Sequence, residues 1–145
     1  MASTHTVDAS VFLNAFNPYE AGHEISNQFL ALLQENAMPI IVPTLLLSEV
    51  AAAISRGRGE AQLARDFAAT LAELPHMIWI PLDMTLSQQA VDIAANYRLR
   101  GSDAVYAATA ARFGCDLVTL DQEQCQRVAD VLPAKYPADA LNELT

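Results

Sequence analysis

Short apolar strands alternate with amphipathic helices along most of the chain, and this alternation restricts the fold more than any other feature of the sequence. Four segments are typical of buried strands: HTVD at residues 5–8, PIIVP at 39–43, MIWIPL at 77–82 and DLVTLD at 116–121. Strands that alternate with helices pair in parallel through right-handed crossovers. The sequence therefore predicts a layered α/β fold around a parallel sheet.

Helical patterns fill the segments between the strands. The first helix is expected to begin at an N-cap, Ser10, and a later one at Ser102, with Gly101 closing the helix before it and Gly114 the helix after it. The other helices are expected over residues 20–35, directly after the second strand, and over 60–74, 85–99 and 122–131. The 145 residues are expected to form one domain, in which residues 131–145 form a short strand or tail.

Nothing in the sequence indicates a membrane protein or a secreted one. No apolar run approaches the roughly 18 residues of a membrane span, and the N-terminus MASTHTVDAS lacks the features of a signal peptide, so a cytoplasmic location is expected. Cys115 and Cys125 match no disulfide framework or zinc pattern, and both are expected to be reduced and structural. The scattered His5, His23 and His76 are expected on the surface or in loops rather than as ligands.

Acidic side chains are expected to gather at the carboxyl edge of the sheet, where ligands bind in parallel α/β folds. Asp8 ends the first strand and Asp121 follows the fourth. Glu49 lies within two turns of the second strand, in an apolar segment with no basic residue before Arg56. Asp103 opens its helix at the same edge if the preceding helix packs antiparallel to the strands. Taken singly, Asp103 also fits an acid that favours the helix dipole, and Asp121 a turn or N-cap residue.

Such a group of carboxylates needs compensation for its charge. Two unit charges about 5 Å apart repel by roughly 3 kcal/mol at an effective dielectric of 20. A proton on one carboxyl could relieve this, but oxygen ligands without histidine or cysteine fit Mg²⁺ or Mn²⁺. The sequence therefore favours a divalent metal site formed by the four acids: Asp8, Glu49, Asp103 and Asp121.

Four motifs carry a family resemblance. In order and spacing, VDASVFL, LLLSEV, GSDAVYAATA and LVTLD resemble the acidic motifs of PIN-domain nucleases, and most closely the toxins of VapBC toxin–antitoxin pairs, over about residues 5–130. The resemblance implies a three-layer α/β/α sandwich with strand order 3-2-1-4-5 and gives the four acids a metal-binding role. Thr119 matches a hydroxyl position that supports the site in the family, and Ser10 stands where relatives often have Asn.

The resemblance implies hydrolysis of RNA phosphodiester bonds with one or two Mg²⁺ or Mn²⁺ ions, leaving 5′ phosphates and 3′ hydroxyls. Basic residues near the motifs are candidates to bind phosphate: Arg56, Arg58, Arg98 and Arg100. Arg56 and Arg98 could equally complement helix dipoles. The net charge of −9 argues against indiscriminate binding to nucleic acid and suits a basic partner.

The partner that the resemblance implies is a VapB-like antitoxin, and a homodimer is also expected. The helices at 20–35 and 60–74 are candidate docking surfaces, although plain core packing would produce the same pattern. A solitary PIN nuclease without an antitoxin stays an alternative.

Two other classes of protein share parts of this pattern. Phosphatases and receiver-type phosphoacceptors also place an Asp after the first strand, but the DxD of the former is absent, and the latter need a Lys after a late strand, whereas the only lysine is Lys135 near the C-terminus. A metal-free binding module on the same fold would be expected to lose one or more of the four acids.

Overall fold

The computed structural model describes residues 4–145, so the first three residues of the segment without signal-peptide features lie outside it. The strands are β1 (His5–Val7), β2 (Ile40–Pro43), β3 (Met77–Ile80), β4 (Asp116–Val118) and β5 (Ala134–Lys135). The helices are α1 (Ala9–Phe16), α2 (His23–Glu35), α3 (Leu45–Arg58), α4 (Ala61–Glu73), α5 (Met84–Tyr97), α6 (Gly101–Phe113), α7 (Gln122–Arg127) and α8 (Pro137–Leu144). The predicted alternation of strands and helices is confirmed.

All strand pairs are parallel, and the sheet has the order β3-β2-β1-β4-β5 that the family resemblance implied. The central neighbours β1 and β4 pair with Val7 opposite Val118. The chain first builds outward from β1 to β3 and then returns to the other side of β1 through β4. The connections therefore change direction between β1 and β4, which is where parallel sheets bind ligands.

Helix α6 runs through the packed interior. Seven consecutive residues, Ala104 to Ala110, are buried, and the helix contacts α5, β1, β2 and β4. Its many alanines let the backbone approach the central strands closely. A side chain near the start of α6 is therefore held firmly at the carboxyl edge of the sheet.

Three predicted helix caps are wrong. The N-cap of α1 is Asp8, not Ser10, because the Asp8 carboxylate accepts the Ser10 N–H at 3.0 Å. Ser102 lies inside α6, whose N-cap is Arg100, and Gly101 begins that helix instead of closing α5. Helix α5 ends at Tyr97, and its C-cap Arg98 takes a left-handed backbone with φ of 56°. The predicted end of α6 at Gly114 is confirmed by its φ of 65°.

His5 was expected on the surface or in a loop, and this is wrong, because β1 lies at the centre of the sheet. Its side chain is 1% exposed and meets the ring of Phe29 edge-on, with the ring centroids 5.5 Å apart. Burial lowers the pKa of His5 below its ordinary value. Cys115 and Cys125 are buried and unpaired, as predicted.

The C-terminal segment forms the short strand β5 and then α8, a helix that the sequence analysis did not predict. Helix α8 packs on α2. Lys135 bridges the carboxylates of Asp116, at 3.0 Å, and Glu143, at 2.5 Å. Among the described residues, no helix is long and apolar enough to span a bilayer.

Candidate active site

Two of the four acids leave the sheet from neighbouring strands. Asp8 directly follows β1 and is 4% exposed. Asp121 follows β4 and caps α7, where its carboxylate accepts the backbone N–H of Gln124 at 3.1 Å. Because β1 and β4 are adjacent and parallel, both acids lie at the same edge, at the change of direction in the sheet.

Helices α3 and α6 bring the other two acids to this edge. Glu49 lies in the second turn of α3 and Asp103 in the first turn of α6, and both are half-buried. Burial is the largest cause of the raised pKa values of Asp103 and Asp8, and the charges add to it: Asp121 and Glu49 act on Asp103, and Asp103 acts on Asp8. Even so, within residues 4–145 no three acidic, histidine or cysteine side chains form a ready metal-ligand set. The four acids are therefore close enough for their charges to interact, but their side chains do not converge on one metal-binding position.

Asp8 is held by the two predicted hydroxyls. Ser10 Oγ donates to its Oδ1 at 2.5 Å, and Thr119 Oγ1 donates to its Oδ2 at 2.6 Å. Burial nevertheless raises the pKa of Asp8 to about 6, against the lowering effect of these hydrogen bonds. Ser10 Oγ also accepts the Leu120 N–H at 3.0 Å, so the hydroxyls tie the start of α1 to the segment that follows β4.

Asp103 is also destabilised as an anion. Burial, followed by the charge of Asp121, raises its pKa to about 6, and the nearby Arg100 guanidinium offsets only part of this rise. None of the ion pairs formed among residues 4–145 involves any of the four acids. Among the described residues, the acids at this edge are therefore compensated by no ion-pair contact, only by the more distant charge of Arg100 at Asp103.

Gln124 belongs to the same network, although the sequence analysis missed it. Its side chain is fully buried. Nε2 donates to the Asp103 carbonyl at 3.1 Å, and Oε1 accepts from Thr119 Oγ1 at 3.0 Å. Asp121 and Gln124 have the spacing of a capping box, a pattern that could have drawn attention to this residue. It joins the first turn of α6 to β4 and α7.

Tyr106 was missed as well. It follows Asp103 by one turn on α6 and is 1% exposed. Its hydroxyl donates to Glu49 Oε1 at 2.5 Å. Burial, and then the charge of Glu49, raises the pKa of this phenol well above its usual value. The i, i+3 spacing places Tyr106 on the same helix face as Asp103, and this spacing was the available signal.

The candidate phosphate-binding arginines divide into two pairs. Arg100 lies near Asp103, where its charge offsets part of the rise in the pKa of that carboxyl. Arg98 is exposed, and its carbonyl accepts a hydrogen bond from Arg127. The α5–α6 connection that carries Arg98 and Arg100 is therefore attached to α7, next to the acids.

The second arginine pair lies at the far end of α3. Arg56 follows Glu49 by seven residues, which corresponds to about 10 Å along a helix. Arg58 is farther along and pairs with Glu60 at 3.6 Å, with both side chains exposed. Among the described residues, neither arginine of this pair forms an ion pair with any of the four acids.

An apolar groove lies on the face where α1, α2 and α4 meet. Its volume is about 340 Å³. Its apolar lining includes Phe12, Phe16, Leu30, Phe67, Leu71 and Leu74. Helices α2 and α4 are the two that the sequence analysis selected as docking surfaces.

The sequence model of the PIN domain family matches residues 6–131. Comparison with curated protein sequences finds no match. Among solved structures, Mycobacterium tuberculosis VapC20, described as a toxin that cleaves the sarcin–ricin loop, has a TM-score of 0.71 at 18% identity, over 89% of this chain and 96% of that one. VapBC2 from Rickettsia felis, bound to a fragment of its promoter DNA, has a TM-score of 0.69 at 14% identity, over 92% of this chain and 98% of that one.

Pyrobaculum aerophilum PAE2754 has a TM-score of 0.68 at 21% identity, over 99% of this chain and 90% of that one. At such identities the likeness establishes the fold alone. The family match is independent of these structures and covers most of the chain, including all four acidic motifs. Sequence match, strand order and the shared edge of the acids agree, and the chain therefore belongs to the PIN domain family.

Proposed function

We propose that the protein is a metal-dependent ribonuclease that hydrolyses RNA phosphodiester bonds. The observation that carries this proposal is the group of four acids at the carboxyl edge of the sheet, none of which forms an ion pair with another described residue. Membership of the PIN family and the resemblance to VapC toxins support a catalytic role for this group of acids.

The residues present fit Mg²⁺ or Mn²⁺. The four acids offer only hard oxygen donors, which these ions prefer, and none of them forms an ion pair with another residue of the range 4–145. One or two bound ions would supply a water of lowered pKa and positive charge beside the scissile phosphate.

The protein's own groups prepare the site for this chemistry. The hydroxyls of Ser10 and Thr119 orient Asp8, and Gln124 holds the first turn of α6, which carries Asp103. Arg100 is the best placed of the candidate arginines to bind an RNA phosphate, because its charge already acts at Asp103. Arg56, Arg58 and Arg98 are secondary candidates, which would bind phosphates of the RNA farther from the acids.

The test is cleavage of a mixed-sequence RNA in Mg²⁺ or Mn²⁺. We expect Asp8→Asn to abolish cleavage while the protein stays folded, and EDTA to stop the wild-type reaction. Asp139→Asn, an exposed acid on α8, is the matched control and should cleave at the wild-type rate. Cleavage by Asp8→Asn at the wild-type rate would overturn the assignment of the site.

A non-catalytic binding module is the second candidate, favoured by the lack of a ready metal-ligand set within residues 4–145. Calorimetric titration with Mn²⁺ separates the two. Heat of binding that disappears in Asp8→Asn supports the nuclease, whereas a folded wild-type protein that gives no heat supports the binding module.

We further propose that the protein is the toxin of a type II toxin–antitoxin pair, with a VapB-like antitoxin in the groove between α1, α2 and α4. The groove is apolar, and the net charge of −9 suits a basic partner. The product of the reading frame just upstream should co-purify with the wild-type protein and not with Leu30→Glu. Ile78→Glu, which changes an exposed residue on the edge strand β3, is the control.

A reading frame upstream that encodes no small DNA-binding protein would favour a solitary nuclease. Homodimerisation is proposed from the resemblance to VapC toxins, and sedimentation equilibrium should then give twice the monomer mass of 15.7 kDa. A monomer at micromolar concentration would contradict it.

A further inference from the structure

The hydroxyl of Tyr106 lies where three helices meet. Tyr106 belongs to α6, its hydroxyl donates to Glu49 Oε1 on α3 at 2.5 Å, and the backbone N–H of Ala9 at the start of α1 approaches the phenol oxygen. The residue is 1% exposed. Its ring is therefore fixed by packing, and its hydroxyl points to the edge where the four acids lie.

Glu49 has little else to hold it. Among residues 4–145 it forms no ion pair, and its Oε2 has no hydrogen-bond partner there, so the phenol is the group that orients the carboxylate. A glutamate side chain has several free torsions, and fixing them costs about 1.5–2 kcal/mol of conformational entropy. A buried phenol that is protonated at neutral pH provides a donor in a constant position.

We propose that Tyr106 is a positioning residue that fixes the Glu49 carboxylate through Oε1 and leaves Oε2 free for a divalent cation. This inference rests on the proposed function. The opposite interpretation is that Glu49 merely satisfies a buried hydroxyl, whose burial without a partner would be costly. The two interpretations differ in whether the hydroxyl affects metal binding.

The first experiment is calorimetric titration of metal-free Tyr106→Phe with Mn²⁺. The phenylalanine keeps the ring and removes only the donor. We expect the Kd for Mn²⁺ to rise about 10-fold, within the range for groups that orient metal ligands. Tyr97→Phe, the same chemical change at a half-buried site on α5, should leave the Kd unchanged. An unchanged Kd in Tyr106→Phe would overturn the inference.

The second experiment asks whether Tyr106 acts through Glu49. In a Glu49→Gln protein, adding Tyr106→Phe should change the Kd for Mn²⁺ by less than twofold, because groups that act through one another are not additive. A full further 10-fold loss would show that Tyr106 acts independently of Glu49. Tyr106→Met, which also lacks a hydroxyl and adapts to its surroundings, repeats both measurements if Tyr106→Phe does not fold.

Cleavage provides a readout that a purely structural role would not move. For Tyr106→Phe we expect kcat to recover at saturating Mn²⁺, with the KM for RNA unchanged. A kcat that stays low at saturating Mn²⁺ would contradict the inference. A wild-type protein that binds no Mn²⁺ would overturn the proposed function and this inference together, whereas equal Mn²⁺ binding by wild type and Tyr106→Phe overturns only the inference.

Discussion

Acidic side chains at the two ends of the central sheet differ in whether they form ion pairs. At the amino end of β4, Asp116 is largely buried and forms an ion pair with Lys135, the only lysine in the sequence, which also binds Glu143. At the carboxyl end, Asp8 and Asp103 are at least half-buried and form no ion pair with described residues, and the pKa of each is raised to about 6. Asp116 is thus held by an ion pair within the framework, whereas no described residue forms an ion pair with the acids at the carboxyl end, where we propose that an outside cation binds.

The largest expected effect is on RNA cleavage, which should depend on an acid at the carboxyl end of the sheet and not on one at the amino end. Asp103→Asn should lower RNA cleavage by about 100-fold or more, a loss typical of groups that act on transition-state charge. Asp116→Asn, the same change at the opposite end, should keep the cleavage rate. The measurement is the single-turnover rate in saturating Mn²⁺. Equal rates for Asp103→Asn and wild type would remove the functional difference between the ends.

The second effect concerns stability, and here the larger change is expected at the amino end of the sheet. Lys135→Met should lower the free energy of unfolding by about 2–3 kcal/mol, since it leaves Asp116 largely buried without its cation. Arg58→Met breaks an exposed pair with Glu60 and should change stability by less than about 0.5 kcal/mol. Urea unfolding measures both. A Lys135→Met protein as stable as wild type would show that its ion pairs contribute nothing.

The two ends should also give opposite pH dependences. Asp8 has a pKa of about 6 against an ordinary 3.8, so the folded protein binds more protons than the unfolded chain between these values, and stability falls as pH rises through that window. His5 has a pKa below its ordinary 6.5, so its contribution is lost as pH falls below about 6.5. The Asp8 effect amounts to at most about 3 kcal/mol at 1.36 kcal/mol per pKa unit.

Urea unfolding of metal-free protein from pH 4 to 8 checks this prediction. Asp8→Asn should gain stability at neutral pH and lose most of the decline between pH 4 and 6. His5→Phe should remove the loss of stability on the acid side of pH 6.5. If Asp8→Asn keeps the wild-type profile, burial does not penalise its carboxylate.

The smallest expected effect concerns RNA affinity. In an Asp8→Asn background that does not cleave, Arg100→Ala should weaken RNA binding several-fold and reduce the salt slope by about 1. Arg112→Ala, at the opposite end of α6, is the control and should change neither value. Filter binding at several salt concentrations measures both. An unchanged slope for Arg100→Ala would mean that Arg100 only complements the charge of Asp103.

The fold was accessible from the sequence because buried parallel strands are short, apolar and regularly separated by helices. The edge shared by Asp8 and Asp121 followed from the strands alone. Helix starts were less accessible, because Ser10 and Asp8 are both good caps and the choice depends on which carboxylate reaches which N–H. The surface assignment of His5 failed because it followed the polarity of histidine and not the predicted burial of the strand HTVD, to which His5 belongs.

The partners of the acids were not accessible, because they depend on contacts between distant parts of the chain. Tyr106 and Glu49 are 57 residues apart, and nothing near either residue indicates the other. Gln124 lies in a polar run that is typical of an exposed helix, yet its side chain turns inward to the Asp103 carbonyl. Periodicity identifies which helix face is buried, but it does not reveal which polar group a buried side chain will meet.

The Thr119 hydroxyl has one hydrogen and two acceptors, Asp8 Oδ2 at 2.6 Å and Gln124 Oε1 at 3.0 Å, and it already accepts the Asp121 N–H. Only one acceptor can receive that hydrogen at a time. In Asp8→Asn, the side-chain amide N–H would donate to Thr119 Oγ1. The Thr119 hydroxyl could then donate its hydrogen to Gln124 Oε1, so that this oxygen also has a hydrogen-bond donor. The hydrogen bonds around Thr119 can therefore accommodate asparagine at position 8. We expect the inactive Asp8→Asn protein to keep the wild-type fold.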